Sequence, residues 1–538
     1  MSEQDADTAI QDYPSIFNDA IGPVMRGPSS SHCAAALRIG RLARDLMEGD
    51  LQQVLVEFDA DGSLATTHES QGSDMGLCGG LLGWDATDER LVTSVQAIRE
   101  AGIAVEMRVA DLGAAHPNTY QLTLRNAKEA HRMTAISTGG GMIEVVEIDG
   151  ARVSMRGDSY ETLLYTDAGG DRLAQALAER TDADAVLFYQ GTGRQFVEIK
   201  AQHPLARDGL VEIGTPYGAR RIKTLSPVLP VLSRKDLRVP FTTCAEMLAY
   251  NAGRNLALWE LAVHYERARG NLSHEQVLLK MQDLVHTMQR SIGQGIEGTD
   301  YADRILGPQS GAFKAQMASG QLLDGGILNR MILHVTALME VKSAMGVIVA
   351  APTAGACGGL PGACIGAANA MGLPVDETAR AMLAAGLIGV FIAARATFAA
   401  EVAGCQAECG AGSAMAAAAL VTLAHGTVKQ AVSAASMALQ NVLGLICDPV
   451  ANRVEVPCLG RNVMAASNAL ACANMALAGF DKVIPLDEVI ETMLRVGKSL
   501  PSALRCTALG GLSITRASKA IEAKLTQRKQ EEADEWNC

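Results

Sequence analysis

Cys409-Gly-Ala-Gly-Ser-Ala-Met-Ala-Ala-Ala-Ala-Leu-Val-Thr-Leu-Ala-His-Gly-Thr-Val428 carries no charged residue and shows no polar face. A helix that is apolar all round lies inside a large protein or within a membrane. Its alanines, glycines and serine let neighbouring helices approach closely, so this stretch reads as buried helical core. The following stretch, 430–447, has the same character, with Gln430 and Asn441 inside it. The more apolar run 381–394 is too short to cross roughly 30 Å of hydrocarbon. No membrane span is therefore expected. Outward from this core, helical periodicity covers 243–269, 273–292, 321–341 and 375–401, divided by Gly-Pro and Gly-Gly breaks.

Before residue 235 the pattern changes. Short β-branched or alternating runs at 54–58, 105–109, 120–124, 142–148 and 185–189 predict strands, and the stretches 34–46 and 89–101 between them predict helices. The fold class that follows is an α+β multidomain chain: an N-terminal α/β domain, then a large all-α domain. The expected divisions are 1–165, a strand-containing segment and connector over 166–239, the helical domain over 240–526, and a charged tail over 527–538 ending in Cys538. The part of the connector from 204 to 239 is rich in proline, glycine and basic residues.

With 46 basic against 59 acidic residues the net charge is −13 over 538 residues. That balance gives no general attraction to phosphate backbones or anionic lipid, so nucleic acid and membrane surfaces are not expected partners. Twelve cysteines in this length fall short of a disulfide scaffold, and no basic-then-apolar leader follows Met1. A cytoplasmic chain with reduced thiols is expected.

Three of those thiols have distinctive settings. Cys405 lies in Glu401-Val-Ala-Gly-Cys-Gln406, Cys447 opens Cys447-Asp-Pro-Val450, and Cys458 follows Pro457. Two of them sit at chain breaks, where backbone amides are free to hydrogen-bond a thiolate. Buried small-hydrophobe cysteines are the competing reading, and Cys357, Cys364, Cys409, Cys472 and Cys506 fit it. No CxxC pair occurs, which argues against a zinc ribbon.

These residues belong to a longer set of motifs: Ile21-Gly-Pro-Val-Met-Arg-Gly-Pro-Ser-Ser-Ser-His32, Gly62-Ser-Leu64, Gly79-Gly-Leu-Leu-Gly83, His116-Pro-Asn-Thr119, Gly139-Gly-Gly141, Ala351-Pro-Thr-Ala-Gly-Ala-Cys-Gly358, Arg461-Asn462 and Leu509-Gly-Gly-Leu512. In their order the chain resembles the iron–sulfur-dependent L-serine dehydratases, with β-subunit-like and α-subunit-like parts fused. The resemblance implies that Cys405, Cys447 and Cys458 hold a [4Fe-4S] cluster. Three protein thiolates leave one iron open to act as a Lewis acid on a substrate hydroxyl. It implies a small amino-acid substrate, L-serine, deaminated to pyruvate and ammonia, and a homodimer. Cys538, with a thiolate and a free carboxylate, is expected to cap the open iron until substrate displaces it.

The same resemblance distributes the remaining roles. Ser29, Ser30 and Ser31 could cap the helix after them or bind substrate at its free amides, and His32 has a pKa suited to proton transfer. His116 is either catalytic or a turn residue. Thr353 and Gly355 resemble a substrate loop. Arg461 and Asn462 could bind a carboxylate or cluster sulfide, and Glu401 is an acid–base candidate. Many members carry a histidine in a His-Gly-Thr-Asp stretch, but here Gln71-Gly-Ser-Asp74 stands there. His68, three residues earlier, could replace it. Cys33 is a smaller departure, from threonine. The Gln71 change leaves open another substrate, namely cysteine, threonine or a bulkier 3-hydroxy amino acid. A non-catalytic cluster-bearing sensor is the rival of a different class, disfavoured by the acidic charge balance.

Overall fold

The computed structural model describes residues 13–536, with side chains to residue 528. The alternating runs of the first region form a six-stranded sheet of β1 (Gln53–Asp59), β2 (Ala104–Ala110), β3 (Thr119–Arg125), β4 (Ala130–Gly139), β5 (Met142–Ile148) and β6 (Ala151–Met155). Its order is β2-β1-β3-β4-β5-β6; β1 and β2 run parallel and the other neighbours antiparallel. Every second side chain of β4 is buried, as expected when only one face meets a core. Helices α1 (Ala35–Leu46) and α2 (Ser73–Leu81) supply that core.

Those two helices touch backbone to backbone. A Cβ on Gly80 would lie 2.1 Å from Leu37 O, and one on Gly76 2.1 Å from Cys33 O. Gly80→Ala must force the pair apart, so we expect it to destabilise the protein by about 1–3 kcal/mol, measured as a lowered denaturation midpoint.

The strand β7 (Tyr160–Thr166), placed by its sequence with the first unit, instead hydrogen-bonds into a second sheet. With α3 (Gly170–Arg180), β8 (Ala185–Gln190), β9 (Gln195–Ala201), α4 (Arg207–Gly214) and β10 (Ala219–Leu225) it makes a β-α-β-β-α-β unit. The sheet order is β10-β7-β9-β8, all antiparallel, a ferredoxin-like arrangement. Much of the expected connector 204–239 is thus ordered structure. Its basic residues Arg220 and Arg221 are exposed on β10, whereas Ile222, Lys223 and Leu225 are buried.

Beyond residue 243 the chain is helical apart from the two-residue strand Ile348–Val349. The main helices are α5 (Cys244–Asn251), α6 (Leu258–Gly270), α7 (His274–Glu297), α8 (Ile327–Ser343), α9 (Gly359–Met371), α10 (Val375–Arg395), α11 (Cys409–Leu423), α12 (Val428–Gln440), α13 (Cys458–Leu477) and α14 (Leu486–Ser499). The central α11 is buried almost all round and packs against α9, α10, α12 and α13. The 243–269 pattern is two helices rather than one, because Gly253 and Asn255 adopt φ of 78° and 54° between them. The apolar run 381–394 sits within a longer helix, α10, whose 21 residues reach the length and composition of a membrane span, but 78% of its apolar window is buried inside the protein.

The 375–401 pattern also breaks, at Arg395, and the cause is tertiary. The β4–β5 tip lies against residues 396–401: a Cβ on Gly139 would meet Ala399 N at 2.6 Å, and Thr397 Oγ1 donates to Thr138 O at 3.3 Å. Two further ties join the halves. The strand Val24–Met25 pairs with Ile348–Val349, and Ala354 N donates to Ser30 Oγ at 3.1 Å.

Candidate active site

The motif loops of both halves meet along this seam. Ser30–Ala34 makes one wide turn leading into α1 and buries His32 completely. His32 Nε2 lies 2.7 Å from Thr67 Oγ1, and Thr67 spends its own proton on Ser63 O at 2.7 Å. Thr67 must therefore accept from Nε2–H, which leaves the lone pair on Nδ1. That lone pair faces Ser29 Oγ at 3.0 Å and Glu401 Oε1 at 3.6 Å. Burial, helped by nearby His68, pushes the His32 pKa down to about 3, while burial raises that of Glu401. A neutral imidazole thus stands beside a carboxyl with heightened proton affinity, a pair suited to passing a proton.

The other histidines are engaged differently. Burial disfavours charge on His68, but its 2.7 Å contact with Asp74 outweighs this and raises its pKa; the ring stacks on Phe58 at 4.8 Å. Gln71 is buried and donates from Nε2 to Asn452 Oδ1 at 3.3 Å and to Cys506 Sγ at 3.4 Å. His116 Nδ1 accepts from Asn118 N at 3.2 Å, closing a turn, and burial lowers its pKa.

On the helical side, Thr353 Oγ1 accepts from Ala356 N at 3.1 Å and donates to Glu408 Oε1 at 2.7 Å. Gly355 leaves room for that carboxylate, since a Cβ there would lie 3.1 Å from Glu408 Oε1. Burial, with the nearby negative charges of Cys405 and Glu401, pushes the Glu408 pKa up to about 8. Asn462 is fully engaged with protein. Its Nδ2 donates to Gly355 O and Cys458 O, both at 2.8 Å, and its Oδ1 accepts from Gly358 N at 3.2 Å and Gly359 N at 2.7 Å. It ties the 353–359 loop to the start of α13. Ser31 is buried in the His32 turn.

Cys405 and Cys447 share one small buried cluster, and Cys458 is buried at the start of α13, within reach of the charge of Cys405. Cys405 sits in a short turn set up by Gly404, whose φ of 75° carries the chain past Leu445 O. Cys447 bridges in parallel to Arg505, and Cys458 begins α13. Two thiols expected to be inert packing join them: Cys409 beside Cys405, and Cys506 beside Cys447. The neighbouring Cys409 thiol, working against burial and aided by Arg461, draws the Cys405 pKa down to about 7. Arg461 also pairs with Asp448 Oδ1 at 2.6 Å. The buried ammonium of Lys342 donates to Val454 O and acts on Cys458 and Glu408. Among the described residues no three His, Cys, Asp or Glu side chains close round a single ion. Cysteine thiols are the ligands that iron–sulfur clusters take, and the buried, free Cys405, Cys447 and Cys458 are of that kind. Cys538 lies outside the described residues.

Glu408, Lys342 and Cys506 had no sequence signal, because each acts through tertiary contacts alone. Cys409 had one in its i+4 spacing from Cys405, and its similarity to ordinary helix packing hid it.

Fold and motif layout together define a two-part protein whose site is shared between an α/β half and a helical half. Residues 253–513 match the family described as serine dehydratase alpha chain. The probable L-serine dehydratase, alpha chain, of Bacillus subtilis (strain 168) is 35% identical over 285 residues, covering 53% of this chain and 95% of that one. The probable beta chain from the same organism is 44% identical over 146 residues, 27% of this chain and 65% of that one. L-serine dehydratase 1 of Escherichia coli (strain K12) is 28% identical over 498 residues, 91% of this chain and 96% of that one. The chain belongs to the L-serine dehydratase family, with beta-like and alpha-like parts fused in one polypeptide.

Proposed function

We propose that this chain is a cytoplasmic, homodimeric lyase that converts L-serine to pyruvate and ammonia, using a [4Fe-4S] cluster held by Cys405, Cys447 and Cys458. What supports the reading is the burial of Cys405 and Cys447 in one cluster, the buried Cys458 within reach of the charge of Cys405, and the buried His32–Glu401 pair, whose glutamate precedes Cys405 by four residues. All eleven described cysteines are free, in keeping with a reducing compartment. When bound there, the cluster supplies a Lewis acid for the departing hydroxyl.

The protein's own groups do the rest. Glu401 Oε1 and His32 Nδ1 hold and move the proton that leaves Cα, with Ser29 and Thr67 fixing the imidazole. The Thr353–Glu408 hydrogen bond fixes the 353–359 loop against the thiols. Burial of His32, Thr353 and Glu401 keeps water from the reacting carbons. Gln71, tied to Asn452 and Cys506, supplies no imidazole at its position, so L-cysteine and L-threonine belong in the assay panel.

The test is anaerobic purification followed by iron and sulfide analysis, visible absorption, and pyruvate release from L-serine. Cys405→Ser, Cys447→Ser and Cys458→Ser should each lose the visible absorption and lower pyruvate release by roughly a hundredfold or more. Variants that keep both overturn the cluster assignment.

A further inference from the structure

Four buried polar atoms at the seam have no hydrogen-bond partner among the described residues: Asn118 Nδ2 and Oδ1, Ser137 Oγ, and Glu401 Oε2. Asn118 and Ser137 are 0% exposed and Glu401 is 5% exposed. Buried polar groups are nearly always paired, so an unpaired set at one place calls for an explanation.

The three residues are neighbours. Ser137 N donates to Asn118 O at 3.0 Å, which sets them side by side where β3 begins and β4 ends. Two residues further on, the Gly139 tip meets Ala399, and this brings residues 396–401 alongside. Asn118 faces the Glu401 carboxyl as a long, weak hydrogen-bond partner that partly offsets the effect of burial on it, but no contact between them is short and straight enough to be a full hydrogen bond. Glu401 Oε1 faces His32 and Oε2 is left over.

The chemistry of the unpaired atoms specifies what would satisfy them. Asn118 Oδ1 and Glu401 Oε2 need N–H donors. Asn118 Nδ2 and Ser137 Oγ offer protons to an acceptor. The zwitterionic head of an α-amino acid carries three N–H groups on one side of Cα and a carboxylate on the other. We propose that Asn118, Ser137 and Glu401 Oε2 form the recognition site for the ammonium and carboxylate of the amino-acid substrate. This rests on the lyase reading and adds to it the residues that read the head group. A head group held there presents its Cα to the adjoining His32–Glu401 Oε1 pair. A solvent-filled seam, by contrast, would show no preference for the intact zwitterion.

Calorimetric titration of the anaerobically purified chain tests this. The probes are L-alanine, which has the head group without a leaving group, and propanoate and ethylamine, which each carry half of it. The wild type should bind L-alanine and bind each half at least about tenfold more weakly. Asn118→Ala and the size-matched Asn118→Asp should weaken L-alanine roughly ten- to hundredfold. Ser137→Ala should weaken it about three- to tenfold, with the far-ultraviolet circular dichroism of all three unchanged. A wild type that binds propanoate as tightly as L-alanine, or that binds no L-alanine, overturns the site, as do Asn118 variants that bind L-alanine like the wild type. If the variants lose L-alanine but the wild type releases no pyruvate from L-serine, the site stands and the lyase reading falls. If both Asn118 variants convert L-serine at an unchanged KM, the lyase reading stands and the site falls.

Discussion

Glu401→Gln is expected to lower kcat for L-serine by roughly a hundred- to ten-thousandfold. The glutamine keeps the shape and the neighbours of Glu401, including the 3.6 Å approach to His32 Nδ1, but it cannot take up a proton. The pH profile separates this from a packing defect. Burial raises the Glu401 pKa, and the carboxylate form is the proton acceptor. Wild-type kcat/KM should therefore climb with pH through a value above the ordinary carboxylate range. In the variant that limb should vanish while visible absorption is unchanged. A variant within about threefold of wild type would remove Glu401 from the proton path.

Lys200→Met should destabilise the ferredoxin-like unit by about 3–5 kcal/mol near neutral pH. Lys200 Nζ lies 2.9 Å from Glu161 and 3.0 Å from Glu198, and both carboxylates are fully buried. Without the ammonium, two buried carboxylates face each other uncompensated. The sign of the pH dependence follows from Glu161. Burial raises its pKa well above the usual value, and Lys200 opposes that rise, so the substitution raises it further. A raised folded-state pKa gives stability that is fully present below the unfolded value and lost as pH climbs through the folded one. The deficit should therefore be smaller at pH 5 than at pH 8. Denaturant titrations at both values, with amide exchange of residues 160–225, would measure it. An equal deficit at both would contradict the charge argument.

Elements with a local cause were legible. The strands at 54–58, 120–124 and 142–148 follow from alternation and the buried helix in 409–428 from its unbroken apolar composition, both of which depend only on near neighbours. Breaks with a distant cause were not. Nothing near Arg395 in the sequence ends a helix; the Gly139 tip, more than two hundred and fifty residues away, does so. The 204–239 stretch looked like linker because its prolines and basic residues mask a strand that buries Ile222, Leu225 and even the basic Lys223. Motif residues such as His32, Thr353, Arg461 and the three cysteines could be singled out because each carries distinctive chemistry in a distinctive local setting. Asn118, though inside the His116-Pro-Asn-Thr119 motif, and Glu408 were not singled out: an asparagine in a turn and a glutamate just before a helix look ordinary until burial strips away their water.

The Gly139–Ala399 contact also bears on assembly. In the Bacillus relatives the corresponding parts are named as alpha and beta chains, so dilution works against two separate molecules meeting. Here a covalent tether fixes the encounter at one local concentration, whatever the amount of protein. Specific activity should therefore be insensitive to dilution as far as this joint is concerned, and any loss on dilution would report a different contact coming apart.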